Sequence, residues 1–403
     1  MPSIKPFRAL IPSYHECSVI VTRPLDNYST GEARLIATEN RYSFLHLIDP
    51  SLAEPSWRDM RTELIYRKIN LTIKEFLDSR KLILQNIPAL YIYECVHNGL
   101  AQKGIWSLCE TDDYLSGAIR KHEVTVERRE KQLADYLINT GLDSNPVLIT
   151  YPPLPAIDQE IDKYSKTPPL IDLLYNDGSK HRLWAVEDKD DIQEIENAIA
   201  SLDVLYIADG HHRAAAMKGQ GQFSAVLMNT SEIKIHEFNR LIKGLNGLTA
   251  SEIIEKVSEK FELTVSNEPV YPTKIHEIGM YLKGMWYRLI PKFTNFNEKH
   301  DLVGNLDVSI LQEHILAPVL GISDPRTDAR ITFQGRITGN TARIQDSVDH
   351  GPYSIAFTLF PITVERLLMV ADAGLIMPPK STWIEPKFLV GLLTNYTPNS
   401  KSL

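Results

Sequence analysis

Apolar residues recur at helical intervals in some stretches of the chain and bunch into short β-favouring runs in others. From Arg58 to Lys81, Met60, Leu64, Ile65, Ile69, Leu71, Ile73 and Phe76 form the stripe of a long amphipathic helix. Ala89–Val96 and Gly104–Leu108 are rich in β-formers and flank Asn98-Gly99, a pair that tolerates positive φ, which predicts a hairpin with an extended loop. A second long helix is expected from Val126 to Asn139, ended by Gly141. Val147–Tyr151 reads as a strand, Leu170–Tyr175 and Arg182–Glu187 as a hairpin, Asp190–Ser201 as a helix and Phe223–Met228 as a strand. Nearer the start, Ile4–Leu10 reads as extended, Gly31–Asn40 as a short helix and Ser43–Ile48 as a strand. Beyond Thr249, helices fit Ser251–Phe261, Thr273–Leu282, Val308–Leu320 and Thr363–Ala373, and strands fit Glu262–Ser266, Met285–Ile290, Arg330–Phe333 and Ser354–Phe360. Asp307 and Thr363 sit where N-caps belong, and Gly321 and Gly374 where helices end. The pattern is that of a mixed α/β protein, with α+β mixed sheets and no internal repeat.

One stretch stands out from this pattern. Val204–Ala208 reads as a buried strand that runs directly into Asp209-Gly210-His211-His212-Arg213 and then into a short run of small residues. Polar groups are costly beside a buried strand unless they are used. A strand feeding a helix through such a turn can present backbone N–H groups and a positive dipole end to a phosphate. Gly210 lets the backbone approach an anion, Arg213 can grip phosphate oxygens, and the two imidazoles add hydrogen bonds or charge. The plainer reading is a polar turn with a capping Asp209 and a solvated Arg213. As a metal site the motif is poor, because adjacent histidines point apart and no third histidine lies at useful spacing.

Composition narrows the function classes. The chain has 403 residues, long for a single core, so two or three domains are expected. A net charge of −8 and a pI near 5.9 argue against nucleic acid as the main partner. Cys17, Cys95 and Cys109 follow no metal spacing, and an odd count fits a reducing compartment. No signal-peptide pattern or membrane-length apolar run is seen, so the expected location is cytoplasmic.

Two further motifs bear on chemistry. Lys121-His122-Glu123 precedes the second long helix, where Glu123 could act as a general base or hold Mg²⁺, or simply favour a helix N-terminus. Lys380-Ser381-Thr382 matches the end of a phosphate-binding P-loop, but Met377-Pro378-Pro379 stands where the shaping glycines belong. A pocket-lining role is open to those three residues; a P-loop is not.

With these motifs in view, the chain resembles the microbial family catalogued as domain of unknown function 1015. The resemblance rests on Ile4–Leu10, Lys121-His122-Glu123 with Thr125, Tyr206–Arg213, Leu306–Ile322 and Met377–Leu392. The Asp-Gly-His-His-Arg signature is similar to that of the ParB/sulfiredoxin-like fold, whose members include nucleotide-hydrolysing partition proteins and free-serine kinases. The resemblance implies three regions: an N-terminal α/β region over 1–118, a ParB/sulfiredoxin-like core over 119–248 and a C-terminal α/β domain over 249–403. It implies a nucleotide-dependent phosphotransferase for a small hydroxyl-bearing metabolite, free L-serine being the first candidate, with ATP or ADP and Mg²⁺ as cofactors. Asp209, Gly210, His211, His212 and Arg213 would hold the nucleotide, and Lys380, Ser381 and Thr382 would line the site. Glu123, His211 and His212 would be catalytic, and Asp209 would take the metal. The alternative is a ParB-like nucleotide switch or DNA-associated protein without kinase activity. The partners implied are nucleotide and small substrate, with no membrane, nucleic acid disfavoured and a homo-oligomer left open. The chain departs from the family where members commonly show Pro-Thr-His-Arg; here Ile235-His236-Glu237-Phe238-Asn239-Arg240 stands instead.

Overall fold

The structure is a computed structural model that describes residues 1–293, 301–335 and 342–398. It is a mixed α/β protein made of two compact units. Unit one comprises Met1–Lys121, Thr125–Ile233 and the chain from Pro386 on. Unit two comprises His122–Val124 and Lys234–Glu385.

Unit one is built on a nine-stranded sheet. From one edge its strands run Ile119–Arg120, Leu205–Asp209, Val147–Tyr151, Gln222–Asn229, Leu100–Glu110, Leu90–His97, Lys180–Val186 and Ile171–Leu174, with Ile4–Lys5 also paired to Leu100–Glu110. Two of its pairings are parallel, Leu205–Asp209 with Ile119–Arg120 and Gln222–Asn229 with Val147–Tyr151; the rest are antiparallel. The central strands are apolar almost throughout because both faces are covered, and Leu90, Ile92, Ile105, Ile149, Ile207 and Leu227 are fully buried. Trp106 is the largest of these buried side chains, and its indole N–H donates to Ser224 Oγ at 2.7 Å.

A four-stranded sheet closes the same unit, in the order Leu82–Leu84, Ala9–Pro12, Thr394–Tyr396, Leu142–Asp143. The expected amphipathic helix, Thr62–Asp78, packs Ile69, Ile73 and Phe76 beside it against Leu10, Phe44, Leu47 and Val390. The expected helix before Gly141 is also present, as Glu127–Thr140, and Gly141 ends it at φ 68°.

Unit two carries a six-stranded antiparallel sheet in the order Phe261–Ser266, Met285–Pro291, Ile278–Leu282, Ile355–Leu359, Phe238–Ile242, Ile331–Gly335. The strands Lys234–His236 and Trp383–Glu385 pair separately. Asp307–Leu311 is α-helical and passes into a π turn, Gln312–Leu316.

Three local expectations are corrected. Ser43–Ile48 contains a short helix, Leu45–Ile48, and not a strand. Phe44, Leu45 and Leu47 are all buried there, so the apolar run has no period-two face, and Ser43 Oγ accepts the Leu45 N–H. Thr273–Leu282 is not a helix: its second half is the strand Ile278–Leu282, fully buried in mid-sheet, where a continuous apolar run cannot be told from a helix by period. Lys283 and Gly284, both at positive φ, form the two-residue turn that joins it to Met285–Pro291, and that pair was the missed signal. Asp307 is the first helical residue and not the cap; its carboxylate accepts the His276 N–H at 2.8 Å.

The segment following Pro386 is fixed to the nine-stranded sheet by Phe388, whose ring lies 5.5 Å from Tyr93 and 5.9 Å from Trp106. Phe388 is buried, so Phe388→Ala should cost roughly 3–5 kcal/mol. Urea unfolding should show this as a lower midpoint with an unchanged slope for the unit that carries it.

Candidate functional site

The Asp209–Arg213 turn lies wholly in unit one, at the end of the strand Leu205–Asp209. That strand pairs with Val147–Tyr151, and the register slips between Ile207 and Asp209, leaving Ala208 as a bulge. Bulges re-aim the side chain that follows them, which here is Asp209. Gly210 then adopts φ 97°, ψ 25°, and a six-residue helix, His211–Ala216, begins directly after it. A Cβ on Gly210 would lie 2.8–3.0 Å from three atoms of the Arg213 guanidinium, so the glycine serves both the backbone turn and the packing of that arginine.

Asp209 and Arg213 tie the turn down. Asp209 Oδ2 receives Arg213 Nη2 at 3.2 Å and Lys387 Nζ at 3.3 Å. Burial alone would raise this carboxyl, but Lys387 and Arg213 outweigh it and hold Asp209 well below the usual carboxylate range. Arg213 Nη1 donates to Asn145 Oδ1 at 2.5 Å and to the Pro146 carbonyl. Arg213 is therefore committed to internal acceptors as a strut of the turn. Of the two oxygens that Asp209 could offer a metal ion in the role expected from the sequence, Oδ2 already carries two cations.

The two histidines differ. His211 is buried, and burial pushes its pKa down to about 3, so at neutral pH it is an uncharged imidazole. His212 is half-buried, and its Nε2 accepts the Val126 N–H at 3.0 Å. An imidazole accepting at Nε2 carries its proton on Nδ1.

Two lysines lie beside the turn. Lys121 and Lys218 each place Nζ 5.9 Å from the centre of the Tyr114 ring, and the charge of Lys121 also acts on His211. Lys218 reaches Glu130 at 3.5 Å. Glu130 is held below its ordinary range by the Thr125 hydroxyl first and by Lys218 and His212 in addition. The neighbourhood thus holds four cations, Lys121, Lys218, Lys387 and Arg213, against the carboxylates of Asp209 and Glu130 and, beside Arg213, of Asp143, which burial pushes up to about 7.

The remaining expected residues belong to unit two. Glu123 belongs to His122–Val124, which is part of unit two; there the His122 carbonyl accepts the Met377 N–H at 2.9 Å. The chain re-enters unit one at Thr125. Lys380, Ser381 and Thr382 also belong to unit two. Lys380 has φ 56°, its carbonyl accepts from Arg240 at 3.0 Å, and buried Ser381 donates to the Pro378 carbonyl at 2.6 Å. The unit-two cavity is lined by Pro378 and Pro379 and by none of these three residues.

Lys387, Asn145, Lys218 and Glu130 are site residues that the sequence reading passed over. Lys387 falls inside Met377–Leu392, a stretch already singled out, while Asn145, Lys218 and Glu130 carry no motif of their own.

The chain belongs to the family described as "Protein of unknown function (DUF1015)", whose model matches residues 4–309. No curated protein matches it. Among solved structures it is similar to a free serine kinase in complex with AMP, at 13% identity and a TM-score of 0.38, covering 70% of this chain and 88% of that one. It is similar also to SbnI with C-terminal truncation from Staphylococcus aureus, at 12% identity and 0.39, covering 71% and 87%. A third similar structure is a conserved hypothetical protein from Pyrococcus furiosus, at 13% identity and 0.34, covering 70% and 91%. Among the described residues no helix is long and apolar enough to cross a membrane.

Two outcomes test this geometry. Gly210→Ala should destabilise unit one by about 1–3 kcal/mol, through the strained φ and the contact with Arg213, as read by chemical denaturation. The second concerns acid. His211 has a folded pKa far below its unfolded value near 6.5, so the unfolded chain binds the extra proton first. Stability from this group is complete above about pH 6.5 and falls as pH drops toward about 3. In His211→Gln the decline in melting temperature between those limits should be shallower than in the wild type.

Proposed function

We propose that this protein is a nucleotide-dependent phosphotransferase acting on a small hydroxyl-bearing metabolite, with free L-serine the first substrate to try. The observation that carries the reading is the gathering of Lys121, Lys218, Lys387, Arg213 and two histidines around the Asp-Gly-His-His-Arg turn, a set of donors that suits a phosphate chain. ATP or ADP supplies the phosphoryl group when bound. Lys121 and Lys218 hold its phosphates as point charges, and His212 offers an Nδ1 proton to a phosphate oxygen. Arg213 and Asp209 hold the turn in shape and do not grip the ligand themselves. His211, kept neutral, can donate a hydrogen bond without adding charge.

Glu123 is the proposed catalytic base. Only one residue, Val124, lies between it and Thr125 of unit one, about 7 Å of chain at full extension, and the next residue, Val126, is bonded to His212. A carboxylate can orient and deprotonate an attacking hydroxyl. Mg²⁺ on Asp209 would share the carboxylate with Lys387 and Arg213, so it is the residues of the chain that carry the steps described. The ParB/sulfiredoxin-like assignment of the turn, implied by the resemblance, agrees with a nucleotide at this loop. The net charge of −8 disfavours the DNA-associated alternative.

The test is calorimetric titration of ADP and ATP, with a coupled turnover assay on serine and other hydroxylated metabolites. Lys218→Ala should weaken nucleotide binding about tenfold. Glu123→Gln should leave that binding intact and lower turnover by at least about a hundredfold. A chain that binds neither nucleotide, at any substrate, overturns the reading.

A further inference from the structure

Unit two contains a cavity of about 380 Å³ where the stretches carrying Arg240, Val308–Leu316 and Pro378 meet. Its walls include Val308, Leu316, Phe333 and Pro378; Ser323, Asp324 and Arg326 line it too, and Arg240 and Gln312 are the polar residues the argument turns on. Arg240 is 3% exposed, and among the described residues it forms no ion pair. Its bonds go to neutral carbonyls, those of Phe238 and Lys380, and its guanidinium lies 5.2 Å from the centre of the Phe333 ring. A buried guanidinium compensated only by carbonyls and one ring is costly, and a carboxylate taken up bidentately would relieve that cost.

Gln312 supplies an independent observation. Its Nε2 donates to the Ile322 carbonyl at 2.7 Å and more weakly to that of Ser323 at 3.4 Å. Those two acceptors fix the orientation of the amide, because turning it over would set oxygen against oxygen. Oε1 is then left buried with no hydrogen-bond partner among the described residues. Gln312 opens the π turn Gln312–Leu316, and π turns of this kind concentrate at functional sites. A ligand that satisfies Oε1 must bring a donor, a hydroxyl or an amine.

The charge balance selects the acid. The exposed Arg326 and the half-buried Asp324 line the same cavity and pair with each other at 2.9 Å, leaving Arg240 as the unbalanced charge of its lining. One net positive charge suits a monoanion better than a phosphate dianion. Apolar walls, a single cation and a lone acceptor together define an amphipathic ligand.

We propose that the unit-two cavity binds a small organic acid of the hydroxy-acid or amino-acid class, with its carboxylate on Arg240, its hydroxyl or amine on Gln312 Oε1 and an apolar body against Leu316 and Phe333. The proposal does not rest on the phosphotransferase reading of unit one.

The test uses the full-length protein in calorimetric titration and thermal shift with 3-phenyllactate, phenylacetate and inorganic phosphate. Phenyllactate should bind at one site, phenylacetate about tenfold more weakly for want of the hydroxyl, and phosphate should not compete. Arg240→Gln should lose at least about tenfold in phenyllactate affinity. Gln312→Leu should erase the difference between phenyllactate and phenylacetate. Asp324→Asn, an isosteric change that keeps the fold, should tighten both acids at low salt. These last two variants decide the matter if Arg240→Gln does not fold. Lys218→Ala should leave acid binding unchanged, which separates this site from the turn in unit one. No binding of phenyllactate up to about 10 mM overturns the proposal, as does equal affinity in wild type and Arg240→Gln, or displacement by phosphate.

Discussion

The carboxylate of Asp209 is the point on which the unit-one site depends. Through Lys387 it holds the segment after Pro386, and through Arg213 it reaches Asn145 and Pro146 at the start of the neighbouring strand. Three stretches far apart in sequence are thereby referred to one strand end. Such a junction is stable only while the carboxylate is ionised and both cations are present, because removing either partner leaves charge behind in a part-buried setting. The arrangement also explains the glycine. With Arg213 folded back across residue 210, there is room there for backbone alone.

Much of the secondary structure was legible, for a physical reason. Thr62–Asp78 and Glu127–Thr140 each bury one face, so their apolar residues recur at helical spacing, and the hairpins of unit one are punctuated by Asn98-Gly99 and Asp177-Gly178. Legibility failed in two short apolar runs. Ile278–Leu282 in mid-sheet is buried throughout, and in Leu45–Ile48 only Leu45 and Leu47 are fully buried while His46 and Ile48 are half-buried, so neither run is long or one-sided enough to show a period. Turn chemistry would have resolved the first, since Lys283-Gly284 is a tight hairpin connection.

For the site, residue types in the Asp-Gly-His-His-Arg turn announced a polar cluster after a buried strand, and the structure has that cluster. Roles within it were not legible, because they depend on partners far away along the chain. Arg213 read as a ligand-gripping arginine, yet its donors meet Asn145, Pro146 and Asp209. Lys387 could not be assigned to Asp209 from spacing, with 178 positions between them. Arg240 drew notice only as the last residue of an atypical segment; that it is a buried cation facing a cavity follows from the packing of unit two alone.

The small sheet of unit one has a consequence for synthesis. Its middle pairing joins Ala9–Pro12 to Thr394–Tyr396, so a segment made among the first must wait for one made nearly 400 residues later. Lys234–Glu385, by contrast, is a continuous stretch that supplies all six strands of its own main sheet. On a ribosome that extrudes the chain from its N-terminus, unit two can assemble while unit one is still missing a strand. Until then the edges of Ala9–Pro12 and Leu142–Asp143 that this strand will occupy stand open, and an open edge recruits any extended chain nearby. The order of emergence, set by topology and not by stability, makes this the interval in which a nascent chain most needs a chaperone.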